Sequence, residues 1–64
     1  MHKEIEGEGR DAVTIELEAH SPNIVLGAYN IVDGASAARL SNRQAEEVIK
    51  ALQKAIKENK DDRN

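Results

Sequence analysis

The sequence predicts an α+β fold: a small antiparallel β-meander of two to four strands, then one C-terminal amphipathic helix packed on one sheet face. Three observations lead there. Residues 12–19, "AVTIELEA", alternate Val13, Ile15, Leu17 and Ala19 with Thr14, Glu16 and Glu18, the period of a strand with one dry and one wet face. Residues 23–32, "NIVLGAYNIV", are rich in Ile and Val and read as a second strand. From Ser41 the apolar residues recur every three or four positions, which is a helix.

Taken in order, the elements have the following grounds. "KEIE" near the start pairs as an edge strand or stays loose, so residues 1–11 are an edge strand or a flexible arm. Gly7 and Gly9 make "GEGRD" a turn. The first clear strand ends at "HSPN", where Pro22 withholds a backbone donor. The short connection there predicts an antiparallel hairpin. "DG" at Asp33–Gly34 is a second turn signal. "ASAARL" after it is a third strand or an extended link, because Ala is a weak strand former.

"SNRQ" has the form of a capping box: the Ser41 hydroxyl serves the N–H three residues on, and Gln44 reaches back. Ala45, Val48, Ile49, Leu52, Ala55 and Ile56 then form one stripe, with Arg43, Glu46, Glu47, Lys50, Lys54 and Lys57 away from it. The last stretch, "KENKDDRN", has no apolar residue. Residues 58–64 are therefore expected to fray into a flexible charged tail.

The whole chain, 1–64, reads as one small domain. Domains of this size usually need a disulfide, a metal or a partner to hold together. Cysteine is absent and Tyr29 is the only aromatic residue. Disulfides and thiolate metal sites are thereby excluded, and self-association as a homodimer or larger is expected. No apolar run is long enough to span a bilayer, so no membrane partner is expected, and a cytoplasmic location is the default.

Charge is distributed unevenly around the net −3. Residues 1–34 carry two basic against seven acidic groups, and residues 35–64 seven basic against five acidic. Nucleic-acid binders carry a coherent basic patch and stacking aromatics, so a nucleic-acid partner is not expected. A small DNA-binding regulator is the weakest of the functional alternatives.

Catalytic and cofactor patterns are missing. His2 and His20, with Glu4, Glu16 and Glu18, share no metal-ligand spacing. Glu16 and Glu18 project to one side of a strand, where solvation is expected rather than acid–base work. "GEG" opens no helix and has no phosphate-loop lysine. The chain is expected to be no enzyme and to need no cofactor. Arg39 and Arg43, beside the N–H groups of a helix start, are candidate anion ligands, and would define a small-ligand binding protein with its site between subunits.

One stretch breaks the pattern. Residues 24–31 are apolar on both sides: Ile24, Leu26 and Ala28 on one, Val25, Tyr29 and Ile31 on the other. Either Gly27 marks a bulge that turns both sets toward one core, or alternation is unbroken and Val25, Tyr29 and Ile31 form an outward apolar stripe. An exposed stripe of that kind is an interface. The favoured function is therefore a non-enzymatic protein-interaction module acting as a homo-oligomer. Its sheet-then-capped-helix layout, from Val13 to Ile56, looks like that of many small bacterial and phage proteins of unassigned role, a likeness of architecture that transfers no active site. An accessory or inhibitor protein of a bacterium or its phage is the concrete form expected of such a module.

Overall fold

The computed structural model describes residues 1–63, with side chains through residue 61. Four strands, β1 (His2–Glu6), β2 (Ala12–Leu17), β3 (Ile24–Asn30) and β4 (Gly34–Leu40), form a sheet in the order β1-β2-β3-β4. Every neighbouring pair is antiparallel. Helix α1 (Asn42–Arg63) follows after the single residue Ser41. The α+β meander with a C-terminal helix is thus the fold of this chain.

Each turn has a local cause. In the β1–β2 loop the Gly7 N–H donates to the Asp11 carbonyl at 2.8 Å, and Gly9 takes φ +62°, a conformation glycine adopts without a Cβ penalty. Between β2 and β3 the Ser21 hydroxyl accepts from the Asn23 N–H at 3.2 Å. The β3–β4 connection is residues 31–33, one residue longer than a two-residue "DG" hairpin. The Asn30 side chain builds it: its Oδ1 accepts the Val32 and Asp33 N–H groups at 2.9 and 2.7 Å. Gly34, at φ +82°, then restarts the ladder opposite Asn30. An Asx turn thus determines the loop.

Gly27 is not a bulge. Register runs unbroken past it on both sides, with Gly27 opposite Thr14 and Ala37. A bulge would set two residues against one, and none does. Directly opposed residues share a face, so one face carries Ile5, Val13, Ile15, Leu17, Ile24, Leu26, Ala28, Ala38 and Leu40. The other carries His2, Glu4, Glu6, Ala12, Thr14, Glu16, Val25, Gly27, Tyr29, Ala35, Ala37 and Arg39. These are called the dry face and the mixed face below.

Helix α1 begins as its sequence demands. The Gln44 N–H donates to the Ser41 hydroxyl at 3.2 Å, and Gln44 Oε1 accepts the Ser41 N–H at 2.9 Å, the reciprocal bonds of a capping box. The helix meets the sheet at β4. Ala45 and Val48 are half-buried, while Ile49, Leu52 and Ile56 remain 53%, 58% and 55% exposed. At its far end the helix does not stop near Lys57, where a frayed tail is expected, but runs to Arg63. Lys57, Glu58 and Lys60 favour helix, and no Gly or Pro ends it. Asn64 lies outside the described residues.

The consequence is a fold with no fully buried apolar core among the described residues. Among the described residues Gly27 alone is buried, and no large apolar side chain is. The Cα radius of gyration is 13.6 Å, against about 10.7 Å for a compact chain of this length.

Candidate interaction surface

Val25 and Tyr29 lie on the mixed face, two pleats apart, with Gly27 between them. The spacing of a regular strand puts them there, and the unbroken register keeps them there. Tyr29 sits across from Ala12 on one side and Ala35 on the other, neighbours too small to cover its ring. It stays 46% exposed. Val25, between Glu16 and Arg39, is half-buried. At Gly27 any Cβ would collide with the Thr14 hydroxyl. That close approach explains the glycine and flattens the middle of the face.

Ile31 does not join them. β3 ends at Asn30, and Ile31 belongs to the following loop, 57% exposed beside the still more exposed Val32. The expected three-residue stripe is therefore two residues on the strand and an apolar loop tip beyond its end. Sequence alternation continues through Ile31; the Asn30 side chain interrupts it, by capturing the loop N–H groups.

The candidate anion ligands are both engaged by carboxylates. Arg39 Nε donates to Glu18 Oε2, and Arg43 Nε lies 3.9 Å from Glu47 Oε1 one helical turn on. The Arg39 guanidinium, and after it the Ser21 hydroxyl, holds the Glu18 carboxyl below its ordinary 4.5, while Glu18 in return raises Arg39. Anion capture at Arg39 requires displacing Glu18. At the helix start, Ser41 and Gln44 already serve each other's N–H groups.

On the same face His2 Nδ1 lies 3.5 Å from Glu16 Oε2. Glu16 and Glu18 thus face different side chains, His2 and Arg39. Among the described residues no three His, Asp or Glu side chains converge as a metal-binding group, and no helix is long and apolar enough to cross a membrane. The hollow at the Tyr29 end of the sheet, lined by Asp11, Ala12, Tyr29, Asp33 and Ala35, is shallow and open.

The dry face is the larger surface, and what the sequence does not reveal is that it stays uncovered. Ile5, Val13 and Leu17 on the dry face are exposed, alongside half-buried Ile15, Ile24 and Leu26. The alternation of residues 12–19 points to Val13, Ile15 and Leu17 as core, with the helical stripe as the expected cover. Periodicity says which side of an element is dry, not what lies against it.

Comparison with known protein families, curated proteins and solved structures finds no match for this chain.

Proposed function

We propose that this chain is a non-enzymatic protein-interaction module that acts as a homo-oligomer, and that Val25, Tyr29 and the Ile31 loop meet another protein. One observation carries the reading: the single chain fully buries none of its fourteen Ile, Val and Leu side chains. Apolar burial is the main favourable term in folding, so association is what gives these side chains a dry environment. Tyr29 suits a contact with a further partner, since its ring is broad and apolar, its tip is polar, and its neighbours are low. An accessory or inhibitor protein of a bacterium or its phage is the concrete form of this function. Absence of cysteine fits a reducing compartment such as the cytoplasm.

Sedimentation of the unmodified chain over a wide concentration range tests the reading. A mass of two chains or more, with a melting temperature that rises with concentration, is expected. A cooperatively folded monomer at every concentration overturns it.

A further inference from the structure

We propose that the occupant of the dry face is helix α1 of a second copy of this chain, each helix lying across the partner's sheet in a reciprocal dimer. The proposal rests on the self-association just argued and names the surfaces that make it. A chain of this mass folded compactly exposes about 4,000 Å², whereas this one exposes 5669 Å². The excess, roughly 1,600 Å², is about twice what one partner contributes to a standard interface. It falls in the range where obligate homodimers bury a core cut in two.

Two apolar surfaces contribute to that excess, and they match. The first is the dry face, with Ile5, Val13, Ile15, Leu17 and Leu26 across β1 to β3. The second is the helix stripe of Ile49, Leu52 and Ile56, each more than half exposed. From Val48 to Ile56 the helix rises about 12 Å, and four strands span about 14 Å from first to last. One stripe therefore covers one sheet.

Why the cover comes from another copy follows from the connection. Only Ser41 separates β4 from α1, and the capping box locks the helix start. The helix consequently meets its own sheet at β4 and carries its stripe onward. Short, constrained connections of this kind favour exchange of an element between copies. Pairing α1 with α1 instead would cover the stripe but leave the dry face in water. A two-fold axis that sets α1 on the partner's sheet satisfies both surfaces twice.

Cysteine is absent from the chain, so introduced thiols report without interference. Chains carrying Val13→Cys and chains carrying Leu52→Cys, distinguishable by mass, are refolded together and treated with a short bismaleimide. The expected product joins one chain of each kind. A dominant Leu52→Cys to Leu52→Cys product means that helices pair with helices. In a chain carrying both substitutions, a cross-link at monomer mass means that the helix covers its own sheet. Either result overturns the proposal while leaving self-association standing if sedimentation shows a dimer; a monomer in sedimentation overturns both. The unmodified chain supplies a second readout by amide hydrogen exchange. Protection of residues 49–56 and 13–17 rises together with concentration, and protection of one segment without the other overturns the proposal. Leu52→Asp, on the exposed side of the helix, is expected to raise the dimer dissociation constant about 30-fold or more.

Discussion

The two faces of the sheet are built from the same four strands and differ in almost every other respect. The dry face carries Lys3 as its only charged strand residue, while the mixed face carries His2, Glu4, Glu6, Glu16 and Arg39. On the mixed face apolar bulk is confined to β3, at Val25 and Tyr29. On the dry face it crosses β1, β2 and β3 and reaches Leu40 at the end of β4. A broad apolar face has to be covered for the sheet to persist, whereas two apolar side chains among charges are a contact that can be made and released. The difference fits the two roles proposed for one small sheet: the dry face for permanent assembly, the mixed face for a partner.

The sharpest way to break that comparison is to place a charge on each face in turn. Ile15→Asp sets a carboxylate in the middle of the dry face, opposite Leu26. Covered and unpaired, it costs about 3–5 kcal/mol, enough to abolish the cooperative urea transition of a small domain. Tyr29→Asp, on the mixed face, is expected to leave the transition and the sedimentation mass of the unmodified chain while removing partner contact. Equal damage from the two substitutions would erase the distinction.

A second, smaller effect concerns how the mixed face is kept flat. Gly27→Ala drives a Cβ into the Thr14 hydroxyl, and overpacking of this kind costs about 1–3 kcal/mol. No positive φ is involved at Gly27, so the cost is steric and removable. The double substitution Gly27→Ala with Thr14→Ala restores most of it, as read by a double-mutant cycle in urea. Failure of the second substitution to compensate would mean that the glycine is required by the backbone.

The cap lies next in size. Ser41→Ala removes the acceptor for the Gln44 N–H and costs about 1 kcal/mol, seen as a lower melting temperature. If α1 lies on the partner, the loss carries into the dimer dissociation constant as well. A cap whose removal shifts the monomer alone would detach the helix from assembly.

These expectations also show where the sequence was sufficient. The alternation of Val13, Ile15 and Leu17 defined both the strand and its dry side, and "SNRQ" located the helix start to the residue. Those signals are local, made of side chains that act on their own backbone. Ile31 was misplaced because the Asn30 side chain ends β3 by bonding the next N–H groups, a choice that alternation does not encode. "KEIE" left β1 open because an edge strand with exposed side chains has no buried periodicity to show. Most of all, the stripe and the dry face were each legible while their cover was not. A pattern reports that a surface must be dry, and only three-dimensional reach decides which copy dries it.

The smallest effect separates the faces by pH. Glu18 and Arg39 form an ion pair on the mixed face, between the end of β2 and β4, and span β3. Arg39 is exposed and Glu18 half-buried at the surface, so the pair's contribution to stability is small. The sign is nonetheless defined. Glu18 titrates below its ordinary 4.5 in the folded chain because Arg39, then Ser21, stabilises the carboxylate. Its contribution is complete above the unfolded value and is lost as pH falls through the lower folded value. A carbon-detected titration of the Glu18 carboxyl is expected to show this depressed midpoint, and Arg39→Gln to return it toward 4.5. The proposed assembly through the dry face involves no carboxylate of that pair. Dimer mass is therefore expected to hold while Glu18 titrates, and dissociation that tracks the Glu18 midpoint would move the assembly surface to the other side of the sheet.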